Sequence, residues 1–341
     1  MNWLMNKMRE KIDFVIMWVD GSDPKWLAEK NKYSEKKVSI DDGINRYRDM
    51  NLLKYWFRGV EKYTPWVNKI YFVTWGHLPE CLDTSNPKLV IVNHKDFIPK
   101  KYLPTFSANC IELNLHRIKD LSEHFVLFND DMYVINSLDE EYFFKDGLPC
   151  DHWKENPLEI ESADDNFFDH IVINDLFLIS KNFNKKDVYK NNFNKIFNIK
   201  YGRRNMRFLM LLKWKYFTGF ECPHTANPYL KSSFKEVWDK NEYFLDRTCL
   251  NKFRSMFDVN QWVINWYQMC KGNFSVKNQN KFGKYFALDD DNTDLINYMR
   301  DDKASVVCIN DTDRAKNFDK AIKQVQKVFD EKLNEKCSFE K

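Results

Sequence analysis

Apolar residues run in short unbroken stretches along the first half of the chain, and between those stretches they recur at helical spacing. The stretch Ile12-Asp13-Phe14-Val15-Ile16-Met17-Trp18-Val19 is rich in branched and aromatic side chains and predicts a buried strand over 12–19. Leu52, Leu53, Trp56, Phe57 and Val60 fall at i, i+3, i+4 positions and predict a helix over 45–63. Strands are predicted from Lys69 to Trp75, from Lys88 to His94 and over 124–129. Ser107 is placed to cap a helix that carries Ile111, Leu115 and Ile118 on one face. Strands alternating with helices imply crossover units and an α/β fold with a mostly parallel sheet. The second half is less regular. Its pattern predicts a turn-rich loop over 220–233 and a helix capped by Asp258 with Trp262, Val263, Trp266, Tyr267 and Cys270 on one face. A short strand follows from Ala304 to Ile309, then an amphipathic helix over 313–335 through Phe318, Ile322, Val325, Phe329 and Leu333. No repeat and no Pro/Gly/Ser-rich linker interrupts the chain. The expected organisation is an α/β half over 1–150 packed closely against a more helical half over 151–341, with a cleft between them.

Two of the predicted strands run into acidic loops. The first ends in Asp20-Gly21-Ser22-Asp23-Pro24 and the other in Asn129-Asp130-Asp131. Ligands of open α/β sheets bind outside the carboxyl ends of the strands. Two strands that deliver carboxylates there imply an anionic pocket suited to a phosphate with its metal. Adjacent carboxylates at Asp130 and Asp131 can hold a divalent cation through oxygen. One of them can equally serve as a general base, or both can simply cap the turn. His224 lies between Pro223 and Pro228, in a stretch whose restricted backbone can fix an imidazole suited to proton transfer near neutral pH. Arg254 can present a bidentate fork to a phosphate. Arg46, Arg48 and Asp49 head the first long helix, where the arginines can meet a phosphate or pair with the local acids.

Composition narrows the picture mostly by exclusion. A chain of 341 residues with 43% hydrophobic and 16% aromatic residues forms a core and is not disordered. A formal net charge of +3 gives no argument for a nucleic-acid partner. No apolar stretch reaches 18 residues, and Met1 to Lys11 carry charges where a secretion signal needs an apolar core. The expectation is a cytoplasmic protein whose eight scattered cysteines stay reduced. There is no GxxxxGK[ST] loop, no GxGxxG and no GxSxG, which disfavours the usual kinases, nicotinamide dehydrogenases and serine hydrolases. Charge is unevenly spread. Residues 181–215 hold eleven Lys or Arg against the single acid Asp187, with apolar residues interleaved. Such a segment is expected to meet an anionic partner, a membrane surface or a charged glycan, or else to be a solvated face with ordinary core anchors.

These stretches, taken in order, resemble the Stealth family of hexose-1-phosphate transferases, which build microbial capsules and include the animal N-acetylglucosamine-1-phosphotransferase. The resemblance rests on four blocks. Ile12 to Pro24 is the first. The second runs from Arg46-Tyr47-Arg48-Asp49 through Glu61-Lys62-Tyr63-Thr64-Pro65-Trp66-Val67, Ile70-Tyr71-Phe72-Val73-Thr74 and Leu103-Pro104-Thr105-Phe106 to Asn129-Asp130-Asp131-Met132. The third centres on His224, and the fourth holds Phe253-Arg254 and ends in Val307-Cys308-Ile309-Asn310-Asp311. The resemblance implies a Rossmann-like fold similar to nucleotide-sugar transferases. It also implies a bacterial enzyme that moves a sugar-1-phosphate from a nucleotide sugar, usually a UDP-N-acetylhexosamine such as UDP-GlcNAc, to a hydroxyl of a polysaccharide or lipid-linked glycan. The products would be a phosphodiester and UMP. By the family pattern Asp131, His224 and Arg254 fall on catalytic positions. Asp20, Gly21, Asp23, Arg46, Arg48, Asp49, Asn109, Asn129 and Asn174 would line the donor site, and Asp130 with Asp131 would hold Mg2+ or Mn2+. The expected place of work is the inner face of the cytoplasmic membrane, with peripheral contact through 181–215. The family often has Asn-Ser after the Leu-Pro-Thr-Phe run, where this chain has Ser107-Ala108. Two other readings share the residues: a metal-dependent glycosyltransferase that releases UDP, and a non-catalytic protein that binds glycans or a membrane surface.

Overall fold

A computed structural model describes residues 10–34, 48–160, 167–278, 283–312 and 314–341. The central sheet has the order β3-β2-β1-β4-β8, with β1 Ile12–Met17, β2 Ile70–Thr74, β3 Leu89–Asn93, β4 His124–Asn129 and β8 Asn227–Leu230. The first four strands run parallel, and β8 closes one edge antiparallel to β4. A second sheet joins β5 Met132–Val134, β11 Val306–Asn310 and β10 Lys284–Ala287; a third joins β6 Phe144–Lys145, β7 Leu148–Asp151 and β9 Ser275–Val276. The helices are α1 Pro24–Tyr33, α2 Leu53–Tyr63, α3 His94–Phe97, α4 Ala108–Asn114, α5 Phe167–Asn182 and α6 Lys185–Asn191. They continue with α7 Phe193–Ile196, α8 Arg204–Leu211, α9 Lys231–Leu250, α10 Trp262–Cys270, α11 Thr293–Arg300 and α12 Phe318–Lys332. The architecture is α/β with a mostly parallel sheet.

Both faces of the sheet are buried, which is why its strands read as unbroken apolar runs. Side chains alternate between two cores, as the two-residue period of a strand requires. Phe14, Ile16, Ile70, Phe72, Val126 and Phe128 face one core, shared with α2, β5, β11 and α12. Val15, Tyr71, Val73, Phe125 and Leu127 face the other, shared with α4, α9 and α10. A cut at residue 150 would split the first of these cores, because the chain from β10 to the C-terminus returns to it. Tyr55 stacks on Phe329 at 4.9 Å and its hydroxyl donates to Asp330 at 2.6 Å. Arg58 donates to both carboxylate oxygens of Glu340 at 2.6 and 2.7 Å and to the Leu333 carbonyl at 2.8 Å, so a buried bidentate pair staples the C-terminus to α2.

Three elements differ from the sequence expectation for local reasons. The helix expected over 45–63 begins at Leu53, because Asn51 adopts φ 55° and breaks helical continuity; residues 45–47 lie outside the described set. The loop expected over 220–233 contains strand β8 and the start of α9. Pro228 is tolerated there because β8 is an edge strand. Asp258 does not cap α10, which follows Gln261. Its carboxylate accepts instead from Ser255 N, Asn251 Nδ2 and Asn109 Nδ2. Ser107 does occupy the N-cap of α4, but its hydroxyl makes no capping bond.

Helix α2 lies so close to β5 that only glycine fits at residue 59: a Cβ there would stand 2.3 Å from the Val134 carbonyl oxygen. Gly59→Ala is expected to cost about 1–3 kcal/mol as an overpacked core substitution. The check is the midpoint of chemical denaturation, and an unchanged midpoint contradicts this packing.

Candidate active site

A cavity of about 840 Å³ opens at the carboxyl edge of the parallel strands. Topology explains what gathers there. Strands β1 and β4 run in register, with Met17 opposite Asn129, so both strands end at the same edge. Strand β8 runs the other way, with Asn227 opposite Leu127, so the residues just before it arrive at the end of β4. His224 therefore meets Asp131, with Nε2 3.1 Å from Oδ2. Strand β11 is antiparallel to β5, pairs Cys308 with Met132, and brings the Cys308 thiol to 3.3 Å from the same Asp131 oxygen. Residues 93 and 177 positions away in sequence thus converge on one carboxylate.

Arg254 enters from the loop between α9 and α10. Asp258 fastens this loop through the three bonds described above, Asn174 on α5 donates to the Met256 and Asp258 carbonyls, and Phe253 stacks on Phe106 at 5.4 Å. The half-buried Arg254 guanidinium makes no hydrogen bond or ion pair with the described residues and lines the cavity. Among the described residues that line the cavity, Arg48 is by contrast committed to Asp311 at 2.5 Å.

The electrostatics of the cavity are divided. Crowding in the cavity, the Asp131 charge and the Asp49 charge push the Asp130 carboxyl above its ordinary value, although the residue is exposed to solvent. Burial also pushes Glu112 up to about 7, against the pull of Arg254 and His224. Burial alone would depress the His224 imidazole, but the Asp131 charge and hydrogen bond, helped by Glu112, raise it above its ordinary value. The buried Cys308 thiol is held well above its ordinary value by burial and by Asp131, so it stays protonated and donates. Titratable groups with shifted pKa values gathered in one cleft make it a functional-site candidate.

The candidate residues fall into distinct groups. Arg48, Asp49, Asn109, Asn129, Asp130, Asp131, His224 and Arg254 line the cavity. Asp20, Gly21 and Asp23 do not. Asp20 accepts from Ser22 N and its backbone N–H donates to His77, while Asp23 caps α1 by accepting from Lys25 N and Trp26 N. These are the turn and cap roles that Asp and Gly commonly fill. Trp18 and Val19, at the end of β1, line the cavity in their place. Asn174 also lies outside the lining, where it braces the Arg254 loop. Arg46 lies outside the described residues. Sequence reasoning missed Glu112, Cys308 and the buried cavity residue His94, which burial pushes down to about 4. Glu112 left a signal: with Asn109 it makes a polar i, i+3 stripe on a helix that buries most of its residues.

Two sets of donors could hold a divalent cation. Asp131, His224 and Cys308 bring one ligand atom each within 4.8 Å of one another, but a protonated thiol and an imidazole suit softer metals than magnesium. The oxygen side fits Mg2+ or Mn2+ better. Asp131 Oδ1 is buried with no hydrogen-bond partner among the described residues, and Asp130 stands beside it on the cavity wall.

Comparison with known proteins names the class. The chain is 44% identical over 338 residues to the capsular polysaccharide phosphotransferase WcwK of Streptococcus pneumoniae, covering 98% of this chain and 99% of that one. It is 38% identical to the receptor polysaccharide phosphotransferase WefC of Streptococcus gordonii, covering 98% and 100%, and 38% identical to the exopolysaccharide phosphotransferase cps2G of Lactiplantibacillus plantarum, covering 97% and 96%. A transferase is thereby defined. Residues 10–38 match the model of Stealth protein conserved region 1 and residues 46–150 that of conserved region 2, and the chain belongs to the Stealth family.

The Asp131 contact generates a direct test. The His224 imidazole should titrate above its ordinary value of 6.5, and Asp131→Asn should lower it, because the opposing charge is gone while burial remains. NMR titration of the imidazole in both proteins reads this. Equal values would detach His224 from Asp131.

Proposed function

We propose that the protein transfers a sugar-1-phosphate from a UDP-N-acetylhexosamine to a hydroxyl of a glycan, as a step in capsular or exopolysaccharide synthesis, and releases UMP. The observation that supports this most is the His224–Asp131 pair set in one cavity with the uncommitted Arg254. Asp131 holds His224 at Nε2, and Nδ1 has no hydrogen-bond partner among the described residues, so Nδ1 is the nitrogen open to an acceptor hydroxyl. His224 takes the hydroxyl proton as the oxygen bonds to the sugar-side phosphorus. The bond from that phosphorus to the bridging oxygen breaks, and UMP leaves with the electron pair. The imidazolium that forms lies against Asp131. Arg254 offsets the charge that grows on the phosphoryl oxygens. Asp130 and Asp131 Oδ1 would hold Mg2+ or Mn2+, which supplies neutralisation of the diphosphate. Asp130 lines the cavity next to Asp131 in the chain and would offer such a cation a second carboxylate. The relatives named as polysaccharide phosphotransferases support the glycan acceptor.

The nucleotide released decides the reaction. Incubation with UDP-N-acetylglucosamine, magnesium and oligosaccharide acceptors should yield UMP; UDP as the product would make the enzyme a glycosyltransferase, and no turnover with any sugar nucleotide would make it a binding protein. His224→Ala and Arg254→Ala should each lower turnover by roughly 10²–10⁴-fold and 10²–10³-fold respectively with the fold retained. Folded variants with wild-type rates would remove these residues from the chemistry.

Removal of divalent cations is expected to weaken donor binding, since carboxylates and a diphosphate otherwise repel one another in the cavity. Calorimetric titration of metal-stripped protein with UDP-N-acetylglucosamine, with and without Mg2+, measures the effect. Equal affinity in both would leave charge neutralisation to Arg254 alone.

A further inference from the structure

We propose that the surface around α8 is a docking face for an anionic bilayer leaflet. Helix α8 has apolar residues on two sides. Phe208 and Leu211 point into the core, while Met206, Leu209 and Met210 lie on the outer side, 58–68% exposed. In the chain on either side of the helix, Ile199 is 94% exposed, and Leu212 and Trp214 are exposed as well. So many large apolar side chains open to water within 16 consecutive positions mark an interaction site and not scattered surface residues.

The charge around this patch identifies the partner. Of the eleven basic residues in 181–215, several are already answered within the protein. Lys185 is buried against Glu155 at 2.6 Å, Arg204 and Arg207 bridge Glu221 at 2.9 Å each, and Lys195 and Lys200 donate to backbone carbonyls. Three that border the apolar patch are not: Arg203, Lys213 and Lys215 are exposed and make no ion pair among the described residues. No acid occurs from residue 188 to residue 220. Exposed apolar side chains, a tryptophan and unanswered cations in one surface match the layered chemistry of a lipid interface, where aromatic rings sit at headgroup depth and Lys or Arg meet anionic headgroups. A charged glycan would satisfy the cations but leave the apolar side chains in water. A second copy of the chain meeting the same face would gather two sets of these cations in one interface with no acid between them.

The face is mechanically joined to the candidate active site. Arg204 and Arg207, on the inner side of α8, grip both oxygens of Glu221, three residues before His224. A membrane-bound α8 therefore anchors the segment that carries the imidazole. This inference stands on surface chemistry and does not depend on the donor or on the product released.

The test is flotation of the full chain with vesicles of phosphatidylcholine alone and with added phosphatidylglycerol, together with sedimentation to read the oligomeric state. The wild-type protein should bind the anionic vesicles, and binding should weaken as salt rises. Replacing Arg203, Lys213 and Lys215 by Ser should weaken anionic binding on the order of 100-fold, at about 1 kcal/mol for each cation near the surface. The variant Met206→Ser/Leu209→Ser/Trp214→Ala should also lose binding, and that loss should persist at low salt. All these positions are exposed, so both variants should keep the wild-type melting temperature. Equal binding to both vesicle types, or binding unchanged in both variants, overturns the proposal. So does a wild-type dimer that the apolar variant splits, which would assign the face to contact between copies.

Discussion

The register of β4 between β1 and β8 is the constraint on which the rest of the molecule depends. β4 runs parallel to β1 and antiparallel to β8, so in the central sheet the carboxyl end of β4 lies beside the entrance of β8. The residue just past that end is Asp130, and the turn to β5 then presents Asp131 to His224. A strand slipped by one residue would send every side chain of β4 to the opposite core and turn the Asn129-Asp130-Asp131 corner away from the cavity. The unbroken burial of both sheet faces makes such a slip costly, because Val126 and Phe128 serve one core and Phe125 and Leu127 the other. Packing energy thereby fixes a polar geometry that no polar interaction in the cavity could hold alone.

The cavity joins two kinds of charge that would neutralise each other if they met directly. Arg48 is consumed by Asp311, while Arg254 is kept away from a fixed partner by a loop whose own acid, Asp258, is occupied with amides and a backbone N–H. A guanidinium without an ion pair among the described residues, in a cavity also lined by carboxyls whose pKa values are raised, is the arrangement expected of a candidate site for a charged ligand. The same economy applies on the surface. Glu221 answers Arg204 and Arg207 on the inner side of α8, and none of the described residues forms an ion pair with Arg203, Lys213 or Lys215. The C-terminal staple between Arg58 and Glu340 has the opposite character: a bidentate, fully answered pair whose role is to close the first core.

Much of the fold was legible because burial on both faces writes itself as continuous apolar runs. The four parallel strands and the helices α2, α10 and α12 follow from periodicity, although α2 begins only at Leu53 and α12 only at Phe318. The exceptions have identifiable causes. A left-handed Asn51 shortened α2, and an edge position let Pro228 enter a strand that its own chemistry argued against. The acidic loop after β1 carried a motif and no cavity contact, since Asp20 and Asp23 spend their oxygens on a turn and a helix cap. Motif residues are chosen by type, and a carboxylate that shapes a turn has the same letter as one that meets a ligand.

The sequence by itself determined the α/β class, the acidic corner after β4 and the family to which the chain belongs, because these depend on local periodicity and on the order of short stretches. Tertiary structure alone decided which residues act together. His224, Cys308 and Glu112 reach Asp131 or its cavity through an antiparallel edge strand, a second sheet and a buried helix face, and pairings so distant in the chain leave no local trace. It also decided which of the eleven basic residues between 181 and 215 are paired inside the protein and which stay exposed without an ion pair among the described residues. Burial and ion pairing are properties of neighbours in space, and a side chain's neighbours are set by how the sheets stack.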